Sequence, residues 1–129
     1  MPLLNWDPTD VIECLEVLPD EEEYGIRYGF TCTADGLRLQ MDVWPLESMV
    51  AISVKREGLT ESGVTFWLYV RGRVRQVKDK SGSELRFENV LPLPLGSFYD
   101  PYTLDQLGRF EYQATFRLSV KPHIRIELI

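Results

Sequence analysis

Hydrophobic and polar residues alternate along most of this chain with a period of two, which predicts strands rather than helices. The first such region surrounds Ala34-Asp35-Gly36 and predicts a hairpin, since an Asp-Gly pair tolerates the positive φ angles of a tight turn. Its apolar positions are Tyr24, Ile26, Tyr28, Phe30, Cys32, Leu37, Leu39, Met41 and Val43. Further strands are predicted over residues 49–56, 64–70 and 74–78 and around Leu85 and Phe87.

The C-terminal part has the most regular alternation. Apolar residues occupy every second position from Phe110 to Val120, and the same parity continues beyond Pro122 to Leu128. Proline lacks the N–H group that a central strand donates. The tail is therefore predicted to be either one bent edge strand or two strands joined near Pro122.

The chain begins with a helical pattern. Asp7-Pro8 supplies an N-cap followed by proline at the first helical position, and Val11, Leu15 and Leu18 then share one helical face. We predict a helix over residues 8–18 that Pro19 ends and that covers an open end or edge of the β structure. A strand over 11–18 is the alternative, because Val and Ile favour strands.

The segment 91–102 is rich in proline and is predicted to be a crossing connection rather than a central strand. Asp100-Pro101 repeats the helix-start pattern and predicts a short helical turn over 101–107. The chain is thus divided into an acidic helix and turn (1–23), an antiparallel meander (24–90), a connection with a short helix (91–109) and a C-terminal strand or strand pair (110–129). We predict one α+β domain over 1–129, mostly β, as an antiparallel sandwich or partly open barrel of about eight strands.

Composition agrees with one globular domain, at 129 residues and 44% hydrophobic. No apolar run approaches the roughly 18 residues of a membrane span, and no signal-peptide pattern occurs, so a cytoplasmic protein without membrane partners is expected. Cys14 and Cys32 are interpreted as small buried hydrophobes, with a disulfide between them left open.

Charge is unevenly distributed along the chain. The net charge is -6, yet residues 1–23 hold eight acids and no Lys or Arg, so the remaining residues hold 20 - 8 = 12 acids against 14 bases, or +2. The last four of these acids are consecutive: Asp20, Glu21, Glu22 and Glu23. They are expected to form a solvated turn, or to attract a basic partner over long range.

Residues for catalysis are scarce. His123 is the only histidine and is expected to be exposed, no paired Cys or His spacing suggests a metal site, and no glycine-rich phosphate loop occurs. Asp42 and Glu111 are carboxylates on strand faces, but no pattern places them in one pocket. We predict no catalytic residue, no metal and no cofactor.

The most specific surface feature is an alternation of large aromatic and arginine residues: Trp67, Tyr69, Arg71, Arg73 and Arg75. If the strand stays regular through Gly72, these five share one solvent face. Trp, Tyr and Arg are enriched at the centres of protein interfaces and also stack on bases. The alternatives are that the aromatics pack in a second core or under segment 91–102 while the arginines pair with nearby acids, that the face pairs with a second copy, or that it binds single-stranded nucleic acid. A sequence pI of about 4.8 makes nucleic acid the less favoured partner.

The order of a capped helix, an acidic turn and hairpins such as that around Ala34-Asp35-Gly36 resembles small bacterial β-rich proteins. Some of these are immunity proteins that neutralise a toxin by binding it. No motif in the chain is diagnostic of any of them. We therefore predict a non-enzymatic protein-binding module, immunity-like in its action, with a nucleic-acid binder and a small ligand-binding domain or enzyme as alternatives.

Overall fold

The strands of the computed structural model, which describes residues 3–58, 63–80, 82–93 and 114–129, form two antiparallel sheets. A helix α1 (Pro8–Leu15) precedes the strands. The strands are β1 (Asp20–Glu21), β2 (Tyr28–Ala34), β3 (Leu37–Trp44), β4 (Met49–Arg56), β5 (Val64–Val70), β6 (Val74–Asp79), β7 (Gly82–Phe87), β8 (Val90–Leu93), β9 (Phe116–Ser119) and β10 (Arg125–Leu128).

One sheet has six strands in the order β1-β2-β3-β4-β5-β8, and the other has four in the order β10-β9-β7-β6. The predicted α+β fold dominated by a sandwich is confirmed, and the described strands do not close into a barrel. The main hydrophobic cluster contains residues from both sheets and from α1, among them Val11, Phe30, Ile52, Leu85 and Phe116.

The predicted hairpin is formed by β2 and β3. Asp35 and Gly36 have φ angles of 53° and 75°, the left-handed values that a two-residue hairpin turn requires. Its first strand begins later than the alternation predicted. Tyr24 lies instead in a short 3₁₀ turn (Glu23–Gly25) with a φ of 62°, and it is 95% exposed. A left-handed residue interrupts the extended backbone, so the alternating residues before Tyr28 do not belong to strand β2.

The N-terminal helix begins as predicted and ends early. The Asp7 side chain accepts a hydrogen bond from the backbone N–H of Thr9 at 2.9 Å. The helix ends at Leu15 because Glu16 adopts a left-handed conformation, with a φ of 57°, and donates its N–H to the Ile12 carbonyl. Residues 16–18 are therefore not helical as predicted, and Leu18 is 82% exposed rather than on the buried face.

The helix packs against β6 and β7, at the β6 edge of the four-stranded sheet, as its apolar face predicted. Cys14 is buried on that face, Cys32 is half-buried on β2, and both thiols are free. Burial raises the pKa of each thiol, which keeps them protonated and poorly reactive.

Two neighbouring chain segments cross together from one sheet to the other. Strand β5 continues into β6 and β7 continues into β8, and the two crossings are bonded to each other by the N–H of Gly72 to the Glu88 carbonyl at 3.0 Å. A Cβ at Gly72 would lie 2.5 Å from that carbonyl oxygen, so a larger residue would force the crossings apart. The result is a corner of the sandwich at which paired strands change sheet.

Segment 91–102 was predicted to be a connection, but its first three residues belong to strand β8, which pairs with β5. Pro92 is tolerated there because β8 is the last strand of the described sheet. The tail forms two strands, β9 and β10, joined through Pro122, which is the second of the two predicted forms. The predicted helical turn at 101–107 and the start of the tail pattern at 110–113 lie outside the described residues.

No helix among the described residues is long and apolar enough to cross a membrane.

Candidate binding surfaces

The aromatic and arginine residues singled out in the sequence do not form one continuous strand face. Trp67 and Tyr69 lie on β5 in the six-stranded sheet, whereas Arg75 lies on β6 in the four-stranded sheet. Arg71 and Arg73 lie in the crossing between them, where Gly72 approaches the neighbouring backbone. The expectation that the strand stays regular through Gly72 is therefore wrong, because the chain bends there to change sheet. The binding role of these residues stays a prediction.

The aromatic residues lie in a second apolar cluster, separate from the main core. Tyr69 and Met49 pair across β5 and β4 and are 5% and 0% exposed. Trp67 is half-buried and stacks on Trp44, with ring centroids 5.6 Å apart and an interplanar angle of 16°. Leu91 and Leu93 also pack against this cluster. Tyr69 is therefore a packed residue, as in the second-core alternative.

Arg75 has arginine neighbours on the outer face of the four-stranded sheet. The strand register places Arg75 directly opposite Arg86, and Arg86 directly opposite Arg117. Inner-face neighbours such as Leu85 and Phe116 are buried in the main core, so the three arginines point away from it. We call these three residues the arginine row. Their side chains are between 31% and 37% exposed.

Glutamates lie beside the arginine row. Glu84 accepts hydrogen bonds from Arg117 at 2.6 and 2.8 Å and from Arg86 at 3.2 Å. Its side chain is 12% exposed, and the bonds from Arg117 lower the pKa of the Glu84 carboxyl although burial opposes them. Glu88 accepts from Arg75 at 2.6 Å.

A polar groove of about 220 Å³ continues from the arginine row toward the β9–β10 turn. Lys121 and Arg125 line it beside Glu84 and Arg117. His123 stands at its end, is 75% exposed as predicted, and lies 2.5 Å from a carboxylate oxygen of Asp35. The groove is thus lined by fixed charges of both signs.

The acidic segment lies at the edge of the six-stranded sheet. Asp20 and Glu21 form β1 and pair with the first residues of β2, and both side chains are exposed. Glu22 is exposed and lies 3.8 Å from Arg27. Glu23 begins the 3₁₀ turn. The solvated turn expected at 20–23 is thus a short edge strand followed by a turn, in which Asp20, Glu21 and Glu22 are exposed.

The ionisable side chains that lie together in the described part of the chain are those of the groove, whereas the two strand-face carboxylates named from the sequence lie elsewhere or are not described. Asp42 lies 3.3 Å from Arg27, and Glu111 lies outside the described residues. Within ranges 3–58, 63–80, 82–93 and 114–129, no group of three or more His, Cys, Asp and Glu side chains could hold a metal ion.

Arg86, Arg117 and Glu84 were not predicted as a group from the sequence. The alternation already placed Arg117 on the polar side of the tail, and Glu84, Arg86 and Glu88 recur with a period of two. Both are signals of an outward face. The sequence pattern does not indicate that β7 pairs with β9, because the long segment 94–113 separates the two strands.

Neither a protein-family model nor a curated protein sequence matches this chain. Its fold is similar to that of one chain in a solved structure described as a contact-dependent growth inhibition toxin–immunity protein complex from Klebsiella pneumoniae 342. The two chains superpose with a TM-score of 0.67 at 14% sequence identity. The match covers 100% of this chain and 98% of that chain, so the likeness extends over the whole fold.

Proposed function

We propose that this protein is a non-enzymatic binding module that neutralises a partner protein, as an immunity protein neutralises a toxin. The observation that carries the proposal is the full-length fold likeness to a chain of a toxin–immunity complex. At 14% identity the likeness concerns the fold and not the function. The neutralising function is therefore proposed from the fold together with the surfaces of the two sheets.

The surfaces favour binding over catalysis. The arginines and glutamates of the four-stranded sheet are held by one another, and the groove carboxylates Glu84 and Glu127 are both paired with Arg117. Arginine is enriched at protein interfaces, so an ordered face that carries several arginines is suited to contact with a protein. The two free thiols support a reducing compartment, and we place the protein in the cytoplasm.

The predicted contact residues keep their place in this proposal. Trp67 presents a half-buried indole that Tyr69 and Trp44 support, and Arg71 and Arg73 are exposed at the corner where the strands change sheet. The acidic segment, Asp20 to Glu23, lies on a sheet edge and would attract a basic region of the partner.

The test uses the product of a toxin gene encoded beside the gene for this chain. Cells expressing that toxin should survive when the chain is co-expressed, and titration calorimetry with the two purified proteins should give a one-to-one complex. A catalytically inactive toxin variant serves as the binding partner where the active toxin cannot be purified. Absence of both protection and binding would refute the immunity-like function.

Size-exclusion chromatography with light scattering tests self-association at the same time. The chain alone is expected to be a monomer, and the chain with the toxin is expected to form a complex of one copy of each protein. A stable homodimer that forms through the Trp67 surface and excludes the toxin would assign that surface to self-association instead.

A further inference from the structure

We infer that the outer face of the four-stranded sheet is a docking surface for an acidic segment of the partner protein, with the arginine row at its centre. This inference rests on the proposed protein-binding function and adds to it a surface and the charge of the ligand. Of the arginine row, only Arg75 was among the contact residues predicted from the sequence.

The arginine row places like charges side by side, and its glutamate partners offset part of the resulting repulsion. Like charges directly opposite on neighbouring strands destabilise a sheet, and Arg86 has an arginine opposite it on both sides. The three side chains point away from the core, so packing of the sandwich does not require arginine at these positions. A ligand that neutralises the row would remove that cost.

The row is only partly neutralised by its own sheet. The outer face holds Arg73, Arg75, Arg86, Arg117 and Arg125 against Asp79, Glu84, Glu88 and Glu127, a balance of 5 - 4 = +1 on a chain of net charge -6. Within that face, Glu88 is shared between Arg73 and Arg75, and Glu84 is shared between Arg86 and Arg117.

Arg86 has unused hydrogen-bonding capacity. Its Nη2 reaches Glu84 at 3.2 Å, while its Nε is buried and has no hydrogen-bond partner among the described residues. Arg75 keeps about a third of its side chain exposed next to it. A ligand does not reach that buried Nε directly, so a carboxylate placed between these two arginines would bind the parts of the side chains that remain exposed, through guanidinium N–H donors.

An acidic protein segment fits this face better than a nucleic acid does. The three glutamates interrupt the arginines and would repel a continuous line of phosphates, whereas a protein segment brings N–H donors for them together with its carboxylates.

The test measures binding of a fluorescein-labelled octaglutamate peptide by fluorescence anisotropy at low salt. The double variant R75Q/R86Q should bind the peptide about tenfold more weakly than the wild type. The matched control R38Q/R56Q removes the same charge from exposed arginines of the six-stranded sheet and should stay within about twofold. Equal losses in both variants, or no loss in either, would overturn the docking surface.

A labelled octathymidylate of similar charge tests the other class of ligand. Weak binding that R75Q/R86Q leaves unchanged is expected. Binding tighter than that of the peptide, and dependent on the same arginines, would overturn the inference in favour of nucleic acid. Melting temperatures of all variants confirm that they are folded, and the single variant R86Q replaces the double variant if the latter melts early.

Failure of the proposed function gives a different pattern. A wild-type chain that does not neutralise the toxin, yet binds octaglutamate through Arg75 and Arg86, would refute the immunity-like role and leave the acidic-ligand surface in place. A folded R75Q/R86Q variant that loses the peptide but still binds the toxin with wild-type affinity would overturn the inference that this surface docks the partner.

Discussion

Arg117 on β9 holds Glu84 on β7 through two hydrogen bonds, with Nε and Nη2 lying 2.6 and 2.8 Å from the two carboxylate oxygens. The pair joins strands that are distant in sequence. Because the carboxylate is only 12% exposed, its charge depends on these donors rather than on water.

Replacement of Glu84 by Gln should lower the free energy of unfolding at neutral pH by about 2 kcal/mol, since a nearly buried charge-assisted pair is lost. Hydrogen bonding from Arg117 holds the pKa of Glu84 below its ordinary value, so its contribution is fully present above the unfolded pKa and is lost as the pH falls through the folded one. Urea unfolding should therefore show a wild-type advantage at pH 7 that shrinks below about pH 4. An equal advantage at about pH 3 would contradict this assignment, and Glu57→Gln, an exposed site, is the control.

Arg86 and Arg117 should differ in their effect on stability. Arg117→Gln should lower the melting temperature by about 5 °C, because Glu84 loses its bidentate partner. Arg86→Gln should leave the melting temperature unchanged or raise it, because Glu84 keeps Arg117 and the middle charge of the arginine row is removed. Scanning calorimetry of the two variants gives the comparison, and the reverse order would show that Arg86 is a structural partner of Glu84.

Tyr69 and Trp67 should have different roles although they belong to one cluster. Tyr69→Ala should lower the free energy of unfolding by about 3 kcal/mol because the residue is only 5% exposed. Tyr69→Phe, which keeps the buried ring, is the control. Trp67→Ala should destabilise less, and under the proposed function it should lose about 2 kcal/mol of partner affinity, mainly through faster dissociation. Urea unfolding and surface plasmon resonance separate the two effects. A Trp67→Ala variant that unfolds readily but dissociates at the wild-type rate would remove Trp67 from the interface.

Leu15 and Leu18 provide a test of where the helix ends. Leu15→Ala should cost about 3 kcal/mol because the side chain is 3% exposed in the main core. Leu18→Ala should change stability by less than about 0.5 kcal/mol, since that side chain is 82% exposed. Equal losses at the two positions, measured by chemical denaturation, would restore the longer helix that the sequence pattern predicted.

Neutralisation of Asp20, Glu21, Glu22 and Glu23 with Asn and Gln should slow association with a basic partner more than it speeds dissociation. The acids contribute long-range attraction, so the dependence of the association rate on salt should also become flatter. Stopped-flow fluorescence at several salt concentrations measures both rates. A change confined to the dissociation rate would mean that these side chains make close contacts instead.

The helix start and the bounds of β3 to β6 could be predicted from the sequence, because they follow from local rules, whereas β1 and β8 were not predicted as strands. The Asp-Gly turn, the Asp7 N-cap and the period-two alternation of β3, β4 and β5 each depend on neighbours within a few residues. The early end of α1 at Glu16 is an exception, since a left-handed cap formed by a glutamate has no clear sequence signal.

The surfaces were decided by the tertiary structure. The alternation that contains Trp67 and Arg75 looks continuous in sequence, but the close approach of Gly72 to Glu88 places its two halves in different sheets. Likewise, each arginine of the arginine row follows a local outward pattern, while their alignment depends on pairing between β6, β7 and β9. Which strands become neighbours is determined by how both sheets cover a shared core, and that long-range packing determines which charges meet.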